Sequence, residues 1–293
     1  MNDIYRIDKM RMRASFDRAA TSYDAAAVLQ KEVRMRMLAR LDLVKLAPSV
    51  ILDAGCGTGH ASYALAERFP DARVVSLDIA FGMLQMARVN RPGLRAQLAR
   101  WLGVDAQQLV CADIERLPLA AAGAGLVWSN LALQWCNELD LAFSEAQRVL
   151  QPGGLFMFST LGPDTLKELR AAAGSDHVHV SRFIDMHDIG DALVRAGFTA
   201  PVLDVERFTL TYDDALAAMR DLKAIGAHNA AAGRPRGLGG RGFLQRLVEG
   251  YEQFRLQGKL PATYEVVYGH AWKPESASPS ADGSVPVYFH KRT

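Results

Sequence analysis

Cysteine is scarce. Cys56, Cys111 and Cys136 are the only three in 293 residues, and they form no close pair and no ligand spacing. An odd, scattered set excludes a disulfide framework and fits a reducing cytoplasm. A dominant charge is also lacking. The 34 Lys and Arg stand against 32 Asp and Glu, and a formal net charge of +2 gives no reason to expect a nucleic-acid partner. No apolar run is long enough to span a bilayer, so no membrane partner is expected. Residues 1–18 mix acids and bases without an apolar stretch, which argues against a signal peptide. His177, His179, His187 and His228 show no metal-ligand spacing, and no metal is expected. There is no internal repeat.

What is present is a large apolar fraction, 49% of the chain, ample for a sizeable core. Residues 10–46 read as helical, with Val28, Leu29, Val33, Met37, Leu38, Leu41 and Val44 near helical spacing and Pro48 as the stop. Short apolar runs then alternate with helical stretches. Strands are expected at 51–54, 73–77, 109–112, 126–129 and 155–160, with two more at 202–212 and 264–271. Helices are expected at 58–69, 81–89, 139–150 and 185–196, and Gln151-Pro152-Gly153-Gly154 punctuates the third of these. That rhythm predicts an α/β fold: a mostly parallel sheet of seven strands with an antiparallel last strand and helices on both faces. Residues 1–48 form an N-terminal arm, 49–273 the main domain and 274–293 a flexible tail. Within the main domain, 213–261 is too long for a hairpin loop and predicts a helical lid around an Arg/Gly-rich loop.

The most specific feature is Val50-Ile51-Leu52-Asp53-Ala54-Gly55-Cys56-Gly57-Thr58-Gly59. An apolar strand meets an acid and then glycines at alternate positions. Glycine permits a tight turn and lets a ligand approach the backbone. The acid decides between ligands. Asp53 would repel a phosphate and suits a cation, which favours S-adenosylmethionine, with its amino group and sulfonium, over a dinucleotide. The nicotinamide fingerprint also wants Gly-x-Gly-x-x-Gly, and His60 stands where its last glycine would have to be. Further acids fall at strand ends. Asp78, about twenty residues after the glycines, is placed to accept from ribose hydroxyls. Asp113 could accept from the adenine amino group while the Ile114 amide donates to the ring, and Asn130 ends the fourth strand.

In these features the chain resembles the class I S-adenosylmethionine-dependent methyltransferases, which have a Rossmann-like fold. The resemblance implies a cofactor-binding set of Asp53, Gly55, Gly57, Gly59, Asp78, Ile79, Asp113, Ile114 and Asn130, and S-adenosylhomocysteine as the product.

Narrower segments point further. Arg18 and Tyr23 in the arm, Ser129-Asn130-Leu131-Ala132-Leu133-Gln134-Trp135, the run from Phe158 to Leu169, Arg182 to Asp188, Leu222 to Ala227 and Gly258 to Tyr264 are similar to the BioC-type malonyl-acyl-carrier-protein methyltransferases of biotin synthesis. Together these segments span roughly residues 16–272. The resemblance implies methyl transfer to the free carboxylate of a malonyl thioester carried by acyl carrier protein. It implies that Tyr23 positions the reacting groups, and that Arg18, Gln134, Trp135, Arg182, Arg234 and Arg236 are candidates for the substrate side. It is compatible with a cytoplasmic monomer or weak dimer. Two other readings stay open from residues alone: a methyltransferase for another small acid or a quinone, and a methyltransferase-fold assembly factor or hydroxylase acting on a protein partner.

Overall fold

The computed structural model describes residues 6–93, 108–174, 183–225 and 241–275. One seven-stranded sheet organises them, in the order β3-β2-β1-β4-β5-β7-β6. The strands are β1 (Val50–Ala54), β2 (Arg73–Asp78), β3 (Gln108–Cys111), β4 (Ala124–Asn130), β5 (Leu150–Leu161), β6 (Thr199–Tyr212) and β7 (Leu260–Trp272). The first five run parallel, and β7 is antiparallel to both of its neighbours, β5 and β6. The expected antiparallel last strand is therefore found. Strand order reverses at β1, which pairs with β2 on one side and β4 on the other. In such sheets ligands bind at that reversal, beyond the carboxyl ends of the strands.

The helices are α1 (Lys9–Ala19), α2 (Tyr23–Ala26), α3 (Val28–Arg40), α4 (His60–Arg68), α5 (Phe81–Asn90), α6 (Leu139–Val149), α7 (Lys167–Ala173), α8 (Met186–Arg195), α9 (Ala215–Ala224) and α10 (Arg241–Glu252). None is long and apolar enough to cross a membrane. Side chains that alternate along a strand feed opposite faces of the sheet. Ile51, Leu126 and Leu155 pack with Leu29, Val33 and Met37 of α3 and with Leu65 of α4. Their neighbours Leu52, Val127 and Phe156 pack on the other face with Phe143 of α6 and Ile189 and Leu193 of α8. Phe143, Phe156, Phe158 and Phe198 form one aromatic cluster, with centroids 4.9–5.6 Å apart. Removing a ring such as Phe156 would cost about 3–5 kcal/mol. Trp128 is fully buried in the opposite cluster, with Ile51, Leu126 and Leu155.

The arm is not one helix running to Pro48. It breaks at Ala27 (φ −80°, ψ 45°), and α3 ends in a 3-10 turn at Leu41–Leu43. Beyond it the chain turns extended, and Val44 and Leu46 pack against the core. Nor is Gln151-Pro152-Gly153-Gly154 a gap before the fifth strand. It lies inside β5, where Leu150 already pairs with Ala124 and the register then shifts. An irregularity of this kind tolerates proline and glycine.

The arm is held to the domain by polar contacts. Asp8 caps α1, accepting from the amides of Met10 and Arg11 at 3.1 Å. Asp17 then caps a different helix. Ala80 offers α5 no capping side chain, and the Gly82 amide donates instead to Asp17 Oδ1 at 2.7 Å. An acid at a helix N-terminus satisfies an orphan amide and complements the dipole. Asp24 accepts from Thr58 Oγ1 at 2.5 Å and Asn90 Nδ2 at 2.8 Å.

Candidate active site

The turn after β1 folds as the glycines require. Gly55, Gly57 and Gly59 all have positive φ (+82°, +53° and +86°). The amides of Gly55 and Cys56 donate to Leu77 O at 2.8 and 2.9 Å, which ties the turn to β2. Each glycine is needed for a different reason. A Cβ on Gly55 would lie 2.3 Å from Ala132 Cβ, and one on Gly59 would lie 2.9 Å from Ala87 Cβ. A Cβ on Gly57 would meet nothing nearer than the Tyr23 ring, at 4.0 Å. Gly55 and Gly57 line a cavity, whereas Gly59 does not and serves the packing of α4.

Asp78 ends β2 against this turn. Its Oδ2 accepts from the Gly57 amide at 2.9 Å and its Oδ1 from the Ala80 amide at 2.8 Å. Each oxygen keeps a lone pair for a ligand hydroxyl. Burial pushes its carboxyl up to about 6, against the two amides that favour the charged form.

Asp53 is only 1% exposed. Ser62 Oγ donates to its Oδ2 at 2.5 Å, and Ser76 Oγ donates to Ser62 Oγ at 2.8 Å. Its Oδ1 is buried and has no partner among the described residues. Burial above all, and then the Asp78 charge, push its carboxyl up to about 7, while Ser62 and Arg34 act the other way. A buried oxygen left unsatisfied carries a desolvation penalty, which a cationic ligand group would relieve. That is the fit expected for the amino group of S-adenosylmethionine.

The cavity has two adjoining lobes that share Tyr23, Gln30, Gly55, Gly57 and Asn130. One runs past Asp78, Ile79, Asp113, Ile114, Gln134 and Trp135 and continues into an apolar chamber of Leu161, Leu166, Leu169, Phe183, Leu210, Leu222 and Ile225. The other holds Asp53, Arg34, Asp24 and His60. The fold thus brings together Tyr23, Asp53, Gly55, Gly57, Asp78, Ile79, Asp113, Ile114, Asn130, Gln134 and Trp135. Asn130 takes a hydrogen bond from Ser159 Oγ at 3.0 Å and donates to Gln30 O at 3.1 Å, which joins the tip of β4 to α3. Gln134 donates to Leu131 O at 2.7 Å. Trp135 meets Phe16 edge to face, with centroids 5.2 Å apart. Burial raises the Tyr23 hydroxyl well above its ordinary range, so it stays protonated and able to donate.

Arg18 is not brought to this cavity. It is exposed, and its Nη2 donates to Ser15 Oγ at 3.3 Å. Arg182, Arg234, Arg236, Trp101, His177, His179 and His228 lie outside the described residues. The sequence also left site residues unmarked. Lys9 lines the cavity and pairs with Asp113 at 3.1 Å and with Glu115. Asp221 enters the chamber from α9, where its Oδ2 accepts from the Tyr212 hydroxyl at 2.7 Å. Arg34 went unnoticed beside the apolar positions of α3. No local pattern marks any of these three.

Comparisons with known proteins agree with this geometry. A family model described as a methyltransferase domain matches residues 52–158. A malonyl-acyl-carrier-protein O-methyltransferase of Methylovorus sp. (strain MP688) is 68% identical over 99% of this chain and 97% of its own. One of the same name from Laribacter hongkongensis (strain HLHK9) is 57% identical over 99% and 98%. Among solved structures, the YcgJ protein of Bacillus subtilis superposes with a TM-score of 0.57 at 14% identity, over 83% of this chain and all of that one, a likeness of fold. With relatives this similar along nearly its whole length, the chain belongs to the malonyl-acyl-carrier-protein O-methyltransferase family.

Proposed function

We propose that this protein transfers the methyl group of S-adenosylmethionine to the free carboxylate of malonyl-acyl carrier protein, an early step of biotin synthesis. The observation that carries the substrate is the near full-length identity to relatives of that name. The geometry supplies a matching site, because one cavity joins an acid-lined cofactor end to an apolar chamber.

The cofactor supplies a methyl group already activated on a sulfonium. When it is bound, Asp53 Oδ1 would accept from its ammonium group and Asp78 from the ribose hydroxyls, while Ile79 and Ile114 would flank the adenine and Asp113, held by Lys9, would face its amino group. No general base is required, since a malonyl carboxylate is ionised at neutral pH. The remaining work is positioning and exclusion of water. Tyr23 and Phe16 close the cavity from the arm, with Trp135 of the domain packed edge to face on Phe16. Leu222 of α9 and Ile225 at its C-cap close it from the other side, so that this part of the expected 213–261 lid covers the chamber. Arg182, Arg234 and Arg236 are the candidates to pair with the substrate carboxylate. Three free cysteines fit a reducing cytoplasm.

Incubating purified protein with S-adenosylmethionine and malonyl-acyl carrier protein should add the mass of one methyl group to the carrier. The succinyl carrier run in parallel reads acyl selectivity. No mass gain on the malonyl carrier overturns the proposal.

A further inference from the structure

The arm helix α3 buries Leu29, Val33 and Met37 against the sheet. Gln30 and Arg34, four residues apart, share a neighbouring face, and both line the lobe that holds Asp53. The other arginines of α3 are paired: Arg36 with Glu32 and Glu206, and Arg40 with Asp204. Arg34 is only partly exposed and makes no hydrogen bond or ion pair among the described residues. Asp24, the acid whose charge acts on it most, is taken up by Thr58, His60 and Asn90. In the same lobe, Asp53 Oδ1 is buried and has no hydrogen-bond partner among the described residues.

A guanidinium offers several donors in a fixed fork, and leaving them partly buried and unpaired is costly. The lobe therefore presents a cation and an anion that feel each other's charge, while the Arg34 fork and Asp53 Oδ1 have no hydrogen-bond partner among the described residues. Its complement is a ligand that carries an ammonium and a carboxylate on neighbouring atoms, the α-amino acid arrangement. We infer that Arg34 binds the carboxylate of the cofactor's amino-acid end while Asp53 binds its ammonium. This rests on the cofactor reading above and adds a residue to it. Arg34 serves the cofactor rather than the malonyl group because it faces the Asp53 lobe. The apolar chamber of Leu161, Leu169 and Leu222 opens from the other lobe. The arm covers the site and also supplies a charge that the ligand completes, so cofactor binding and arm docking reinforce each other.

Titration calorimetry of wild type, Arg34→Gln and Arg34→Lys tests this with two ligands. S-adenosylhomocysteine has both charged groups, and its decarboxylated analogue keeps only the ammonium. Arg34→Gln should weaken S-adenosylhomocysteine roughly 10- to 100-fold, as for loss of a charge-assisted pair, and leave the analogue unchanged. Arg34→Lys should recover part of the loss, since a point charge replaces a fork. Unchanged binding of the analogue also shows that each variant is folded. Equal weakening of both ligands overturns the inference, because Arg34 would then only hold the arm. So does unchanged S-adenosylhomocysteine affinity with a raised KM for malonyl-acyl carrier protein. Wild-type protein that binds neither ligand sinks the cofactor reading itself, a different result from either of these.

Discussion

Ser62 reaches back from the first turn of α4 to Asp53 at the end of β1. Its hydroxyl lies 2.5 Å from Oδ2, and the other carboxylate oxygen is left buried with no partner among the described residues. One hydroxyl thus orients the acid and leaves its free oxygen for a ligand. The arrangement is poor for stability and good for binding a cation.

Asp53→Asn should separate those two properties. The folded-state pKa of Asp53 is raised, so the folded chain holds this proton more tightly than the unfolded one. Stability is therefore lost as pH rises from the ordinary carboxylate range towards about 7. Asparagine cannot ionise and still offers an oxygen to Ser62. At pH 8 the variant should melt higher, by about 2–4 °C for each kcal/mol relieved, with the gain gone near pH 4. Its affinity for S-adenosylhomocysteine should fall about tenfold or more. Thermal melts at both pH values and calorimetry check this, and a lower Tm at pH 8 would assign Asp53 a structural role.

Cofactor affinity should depend on pH in a defined direction. Burial above all, and then the Asp78 charge, push Asp53 up to about 7, and burial pushes Asp78 up to about 6. Below these values the carboxyls are neutral and pair poorly with an ammonium or with ribose hydroxyls. Affinity for S-adenosylhomocysteine should rise between about pH 5.5 and pH 8, with protons released on binding. Calorimetry in buffers of different ionisation heat reads the release. An affinity flat over this range would mean both acids are already ionised in the free protein.

Gly55→Ala and Gly57→Ala should fail differently. At Gly55 the new methyl would sit 2.3 Å from Ala132 Cβ at φ +82°, so the fold itself should be destabilised by several kcal/mol. At Gly57 there is room, and the cost to folding should be about 1–2 kcal/mol for the left-handed backbone. The methyl would instead face the cavity, and cofactor affinity should suffer more than Tm. Melts and calorimetry on both variants decide, and matching profiles would count against the distinction.

Lys9→Ala should loosen the arm. It removes the contacts to Asp113 and to Glu115, a carboxylate only 10% exposed. The loss should be about 1–3 kcal/mol. Trypsin should then cut at Arg11, Arg13 and Arg18 sooner than in wild type, and added S-adenosylhomocysteine should restore part of the protection. Equal cleavage rates would show that Asp17 and Asp24 hold the arm without Lys9.

Much of the fold and of the site is legible in short-range order along the chain. The apolar runs, their alternation with helical stretches and the acid or amide at each strand tip are properties of neighbours in the chain. They located β1, Asp53, Asp78, Asp113 and Asn130 correctly at one end of the sheet. The glycine spacing announced a tight turn, but which glycine faces the ligand depended on Ala132, Ala87 and Tyr23, brought in from elsewhere. Gln151 to Gly154 read as a stop because proline and glycine usually are one, until pairing with β4 absorbed them into β5. Charge pairing was the least legible. Lys9 meets Asp113 across 104 positions, and Arg36 and Arg40 find Glu206 and Asp204 across 170 and 164. Arg34, on the same helix, is left facing a cavity. A backbone follows its own residues, but a charged side chain answers to whatever the topology sets beside it, and only the tertiary structure decides that.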